Sequence, residues 1–282
     1  MKTKRIIQTL RWILILGFLV GCAPKTNTHP LALSVDSETF IEITPDLKVR
    51  YIQEGVFEIT HSYPWEANSL AVVMGDYLVL VDTPWTPQAT QEMLAWLKTQ
   101  VGSKQIVAIN THYHLDNLGG NQYLVEQGIP VYGSDLTVEL LRERGQASLD
   151  QTLAWLQSEE DPRFAETLSK LELTPPSEIF KLQEGLNLTF AGESVQVYYP
   201  GPAHSPDNVV VYFPERKLLF GGCMIIGWEA IGNTADANLQ AWPASVRNLS
   251  QFEFEIVVPG HGERLDPGLI DHTLALLEGQ NT

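Results

Sequence analysis

The chain has 282 residues, with 34 Asp and Glu against 18 Lys and Arg, for a formal charge of −16. That balance argues against nucleic acid as a partner. With only two cysteines, Cys22 and Cys223, one of them near the N-terminus, no internal disulfide framework is expected.

Residues 1–21 read as an export signal: Lys2, Lys4, Arg5 and Arg11 precede or open an apolar run from Trp12 to Val20. The run is shorter than the about 20 residues a transmembrane helix needs, so cleavage is expected. Leu19-Val20-Gly21-Cys22 resembles a bacterial lipoprotein box, in which the cysteine is acylated and becomes the mature N-terminus. Ala23 adds no acidic retention signal. These features imply an outer-membrane lipoprotein facing the periplasm, anchored through Cys22, with cleavage near Gly21 to a soluble product as the alternative. Removing the four basic residues of the signal from the 18 leaves 14 against 34 acidic ones and a formal charge of −20. Residues 22–40, Pro- and Thr-rich from Pro24 to Ser37, suit a flexible tether. Residues 41–282 are long enough to bury a single core or two packed halves.

From Val49 the pattern is strand-like. Residues 49–53, 56–60, 69–74 and 77–82 alternate or run apolar, with turns at Glu54-Gly55 and Gly75-Asp76, and read as antiparallel strands. Residues 87–101 place Met93, Leu94, Leu97 and Val101 on one helical face. Ile106 to Asn110 reads as a buried strand, followed by a helix over 121–126 and a short strand at 130–132. Residues 135–173 read as a helical, charged linker between two halves. The second half repeats the plan, with strands near 178–182, 186–191, 195–200, 209–214 and 217–222. A helix over 238–249, a strand over 254–260 and a last helix over 267–277 complete it.

The stretch Thr111 to Gly120 gathers His112, His114 and Asp116 at the end of the Ile106–Asn110 run, with Gly119-Gly120 turning the backbone into the next helix. Neutral imidazole nitrogen and carboxylate oxygen are zinc ligands, and three or four must converge to hold an ion. Three later Gly/Pro loops each add a possible ligand beside an apolar run: His204 in Gly201–Asn208, Cys223 after Phe220-Gly221-Gly222, and His261 in Val258–Gly262. Of the seven histidines, His29, His61 and His272 lack that context and read as surface or linker residues. An unpaired Cys223 in an exported chain is better explained as a zinc thiolate than as an inert buried thiol.

At these four stretches the sequence resembles the metallo-β-lactamases, in the di-zinc subclass that uses a cysteine ligand. The resemblance runs from about Val56 to the C-terminus. It implies an α/β fold, a four-layer αββα sandwich of two packed mixed β-sheets flanked by helices, with the metal site along one edge. It also implies two zinc ions per chain, one held by His112, His114 and His204 and the other by Asp116, Cys223 and His261. Zinc lowers the pKa of water to about 7, and in the family the resulting hydroxide opens a β-lactam. Asp116 would orient that nucleophile, and Asn233 matches the position that helps polarise the lactam carbonyl, with a loop-capping amide as the alternative. Trp65, in the hairpin loop over residues 62–67, would contact substrate. Glyoxalase-like and phosphodiesterase-like relatives carry His-x-His-x-Asp-His and a bridging aspartate. Here Asn117 follows Asp116 and Cys223 takes the later position, which favours lactam chemistry.

One departure bears on substrate. The family commonly places a lysine three residues after the cysteine to pair with the substrate carboxylate, and here Ile226 stands there, with no Lys or Arg between Lys217 and Arg247. The expectation is therefore a monomeric β-lactam hydrolase whose anchoring of substrate is weak. The alternative is a periplasmic metallo-hydrolase of lactones or thioesters.

Overall fold

Along β5 (Tyr77–Val81) successive side chains point to opposite faces, and both faces are apolar. Val79 and Val81 join one buried cluster while Leu78 and Leu80 join another. A strand greasy on both faces must be covered on both sides, which dictates a layered architecture.

The computed structural model describes residues 39–157 and 163–279. They lie in the compact unit Val35–Thr282, whereas a second unit, Met1–Ser34, with the signal and Cys22, falls outside the described residues. The first sheet holds β1 (Phe40–Thr44), β2 (Leu47–Gln53), β3 (Val56–His61), β4 (Ala67–Met74), β5, β6 (Gln105–Ile109), β7 (Val131–Ser134) and β8 (Glu178–Phe180), in that order. Its pairings are antiparallel from β1 to β5 and parallel from β5 to β8. In the second sheet β9 (Leu186–Phe190), β10 (Glu193–Tyr198), β11 (Val210–Phe213) and β12 (Leu218–Ile226) pair antiparallel, and β13 (Ile256–His261) lies parallel to β12.

Between the sheets Val56, Leu70, Val79 and Ile109 meet Val195, Val211, Phe220 and Val258. On the far face of the first sheet Phe57, Leu78 and Leu80 meet Met93, Leu94 and Leu97 of α1 (Pro87–Val101). Thr86 caps that helix by accepting from Ala89 N, and Pro87 fills its first position. Two short helices, α2 (Leu115–Leu118) and α3 (Asn121–Glu126), come between β6 and β7. On the far face of the second sheet Val210, Leu219 and Val257 meet Trp242 and Val246 of α6 (Trp242–Arg247) and Leu277 of α7 (Leu269–Gly279). The four layers expected from the resemblance are present.

Three expectations need correction. The strand at 178–180 does not open the second half; it pairs parallel with β7 at the edge of the first sheet. Residues 135–173 are no mere linker. There α4 (Asp135–Leu156) buries Leu140, Leu141, Leu149 and Leu156, and with Leu168 of α5 (Arg163–Leu168) it packs beneath Trp85 and Tyr113. His61 is buried rather than at the surface, because both faces of β3 are covered, and its burial pushes the imidazole down to about 4.

A polar clamp ties the first sheet to the end of β13. Arg50 on β2 donates to the buried carboxylate of Glu58 and to the backbone oxygen of Glu263. Asn68 on β4 donates to Pro259 O at 3.2 Å and Gly262 O at 2.8 Å. Burial pushes the Glu58 carboxyl up and the guanidinium of Arg50 pulls it back. Removing one partner of such a pair strands a buried charge, at a cost of about 3–5 kcal/mol, whereas replacing both with apolar groups is often close to neutral. In urea unfolding Arg50→Met should therefore lose about 3–5 kcal/mol, and adding Glu58→Met should restore much of that loss. A double variant no more stable than Arg50→Met would show that the pair is not what the clamp depends on.

Candidate metal centre and active-site cleft

The parallel strands β5 and β6 end side by side, and the residues just beyond their ends build the centre. After β5 comes Asp82, in the left-handed region at φ 59 and wholly buried. Its carboxylate accepts from Thr111 N and Thr111 Oγ1, each at 2.7 Å, and from Asn117 Nδ2 at 2.9 Å. Asp82 thus straps both ends of the loop that carries His112, His114 and Asp116. Burial pushes its carboxyl up to about 7, with the Thr111 and Asn117 hydrogen bonds pulling the other way.

The other donors come from the second sheet. His204 lies in the loop between β10 and β11, Cys223 sits within β12, and His261 ends β13. The backbone around Cys223 requires glycine twice. Gly222 takes φ +54 where the β12–β13 register shifts, and a Cβ on Gly260 would lie 2.7 Å from Cys223 Sγ.

All six sequence-expected ligands converge. His114 Nδ1 and His204 Nε2 face each other at 3.1 Å, and the His112 ring lies edge-on to both, with centroids 4.7 and 5.5 Å away. His261 Nε2 is 3.2 Å from Cys223 Sγ and 3.4 Å from Asp116 Oδ2. The donors of Asp116, Cys223 and His261 lie within 4.8 Å of one another, as do those of His112, His114 and Asp116 and those of His112, His204 and Cys223. The two expected sets therefore form one continuous cluster.

The hydrogen bonds behind the rings decide which nitrogen each offers. With Asp82 ionised, the one Thr111 hydroxyl proton goes to it, so Thr111 Oγ1 accepts from His112 Nδ1 at 3.0 Å and His112 Nε2 keeps its lone pair. His114 Nε2 donates to Asp236 Oδ2 at 3.1 Å, which leaves Nδ1 toward the cluster. His261 Nδ1 donates to the backbone oxygen of Glu66, which leaves Nε2. Each lone pair points inward.

This donor set fits zinc. His112 Nε2 is buried with no hydrogen-bond partner, a position that costs free energy unless something else accepts its lone pair. Burial holds His112 and His204 well below the usual imidazole range, and so neutral. Burial, with Asp116 and Asp82 nearby, pushes the Cys223 thiol well above its ordinary range, so a thiolate there calls for a cation beside it. Mixed nitrogen, sulfur and carboxylate donors are those of zinc sites.

The cluster floors a cleft of about 680 Å³. Trp65 is partly exposed, packs edge-on to Trp85 and Trp155, and donates through Nε1 to Asp116 Oδ2 at 3.2 Å. Trp228 stacks on His261 with centroids 4.7 Å apart. Asn233 lines the cleft and its Oδ1 accepts from Ala235 N at 3.0 Å, so its carbonyl end caps the loop, as the alternative reading of that residue expects. Ile226 also lines the cleft but is otherwise buried among Met224, Ile225 and Trp242. Asp236 was missed by sequence reasoning. It takes bonds from His114, Tyr113 and Arg144, which hold its carboxyl well below the usual range. An acidic residue in a polar loop gives no signal that it will face a ligand from far along the chain.

Comparison with known proteins agrees with this geometry. Residues 62–261 match the model of the metallo-beta-lactamase superfamily. A metallo-beta-lactamase type 2 of Pseudomonas aeruginosa is 34% identical over 243 residues, covering 81% of this chain and 83% of that protein. One from Bacillus cereus is 33% identical, covering 75% and 73%. Among solved structures, a metallo-beta-lactamase from Pontibacter korlensis superposes with a TM-score of 0.68 at 34% identity, covering 83% of this chain and 100% of that one. On these matches and on the donor cluster, the chain belongs to the metallo-β-lactamase superfamily.

Proposed function

We propose that this protein is a zinc-dependent hydrolase that opens the amide bond of β-lactam antibiotics, with two zinc ions per chain. The observation that carries the reading is the convergence of six donors on the floor of an aromatic-walled cleft, with His112, His114 and His261 each fixed by a hydrogen-bond partner behind the ring. His112, His114 and His204 would hold one ion, and Asp116, Cys223 and His261 the other. When bound, zinc supplies Lewis-acid polarisation and lowers the pKa of water to about 7.

The chain's own residues supply position and shelter. Asp82 fixes the metal loop through Thr111 and Asn117, so His112, His114 and Asp116 need not reorganise during reaction. Trp65 holds Asp116 from above and, with Trp228, gives apolar faces to the ring system of a substrate while excluding water. Asn233 keeps its Oδ1 in the loop turn, so its Nδ2 is the end that would donate toward a lactam carbonyl. On β12 nothing holds a carboxylate, since Ile226 is apolar and its backbone N–H donates to Thr273 Oγ1 at 2.9 Å. Binding at that wall would be weak. We further propose that Cys22 carries the lipid of an outer-membrane lipoprotein and that the reaction takes place in the periplasm.

Initial rates on a penicillin, a cephalosporin and a carbapenem, with and without added zinc, test the activity. Zinc-dependent opening of at least one is expected, whereas turnover of lactones or thioesters with none of lactams would transfer the reading to those substrates. Metal analysis at saturation should give two zinc ions per chain. Cys223→Ser should weaken mainly one of them, by at least about tenfold, which corresponds to about 1.4 kcal/mol. Native chain saturating at one ion, or a serine variant binding both as tightly as native, would sink the assignment. Cys22→Ala should move the protein from membrane pellets to the soluble fraction with its zinc content intact, and equal pelleting of the two would remove the lipid anchor.

A further inference from the structure

The lining of the cleft contains a single Lys or Arg among the described residues, and it comes from an unexpected element. Arg144 projects from α4, on a stripe with Ala147, Ser148, Gln151 and Trp155 that lines the cleft at helical spacing. Its Nη1 donates to Asp236 Oδ1 at 2.9 Å. Asp236 Oδ2 is already engaged by Tyr113 and His114, so this carboxylate divides its charge among three donors. A guanidinium carries five N–H donors in a rigid planar fork. With Asp236 and the Tyr113 hydroxyl beside the guanidinium and the side chain about half exposed, its five donors outnumber these partners and leave some for a second anion. Asp236 therefore holds the guanidinium in place, beside the His114 side of the centre, at no further cost in side-chain freedom on binding.

We propose that Arg144 positions the carboxylate of the substrate, so that the cation absent from β12 is supplied from α4 on another wall of the cleft. This rests on the β-lactam reading. Charge-assisted bonds from a guanidinium to a carboxylate are among the stronger polar contacts a site can make. Because the carboxylate lies away from the reacting bond, Arg144 would act on KM more than on kcat.

The test compares a cephalosporin with its carboxylate methyl ester on the zinc-loaded full chain, in the native protein, Arg144→Lys and Arg144→Met. Arg144→Met should lower the acid-to-ester ratio of kcat/KM by about 10- to 100-fold, mostly through KM, with zinc content unchanged. Arg144→Lys, which keeps the charge and loses the fork, should fall between. If Arg144 served only to prop Asp236 and His114, acid and ester would decline together, and an unchanged ratio overturns the proposal. A second readout needs no turnover: the Kd of a mercaptocarboxylate, whose thiol seeks the metal and whose carboxylate seeks the cation, against its methyl ester. Acid and ester bound equally by the native chain would also overturn it. Failure to hydrolyse any lactam, together with Kd values that depend on both the carboxylate and Arg144, would remove the lactam reading and leave Arg144 as a carboxylate anchor.

Discussion

The buried carboxylate of Asp82 is the constraint on which the rest of the centre depends. It sits at the end of a strand apolar on both faces, where an ionised group is costly, and its elevated pKa reflects that burial. Three hydrogen bonds from Thr111 and Asn117 offset the cost, and all three run to the loop that bears His112, His114 and Asp116. The first sheet thereby fixes half of the donor cluster. Through Thr111 it also fixes the tautomer of His112.

The second sheet meets this half with His204, Cys223 and His261, and the two halves come into register through contacts that are mainly polar. Asn68 and Arg50 reach across to the backbone at and just beyond the end of β13, while Glu66 accepts from His261 Nδ1 and from Gly262 N. Such bonds have direction, which the apolar layer between the sheets lacks, since dispersion and burial are satisfied by many relative placements. A core of Val, Leu and Phe holds the sheets together. The polar clamp sets where one lies against the other near the metal ligands.

Much of this was legible in the sequence because it is local. Short apolar or alternating runs bounded by turn residues found most strands, and the Met93, Leu94 and Leu97 face found α1. The four ligand-bearing stretches stood out as His, Asp or Cys beside Gly and Pro, although Cys223 and His261 lie on β12 and β13 rather than in loops. Contacts that the chain reaches only by folding were not legible. The three-residue strand at 178–180 is too short to declare its partner, and its parallel pairing with β7 is set by the course of α4 and α5. The Phe40–Thr44 strand lies at a sheet edge, where half-exposed residues blur the alternation. Asp236 and Arg144 are ordinary polar residues in sequence, and each acquires a role only because residues 92 positions apart form an ion pair over His114.

Helix α4 shows how a segment that looks like a charged connector can become a wall. Its buried face, with Leu140, Leu141 and Leu149, packs under the metal loop, and that contact leaves an adjacent stripe facing the cleft. The chain as a whole is strongly acidic, and a β-lactam carboxylate is an anion, so distant charge opposes their encounter. Screening at physiological ionic strength limits that opposition to about 8 Å. Within the cleft the sign is decided by the few groups that line it. Asp116 and Cys223 face the metal centre, Asp236 is shared among His114, Tyr113 and Arg144, and Arg144 is the cation that remains turned toward the opening. On the proposal that Arg144 takes the substrate carboxylate, an acidic protein would hold an anionic substrate through a local cation kept in place by a carboxylate already occupied on its other side.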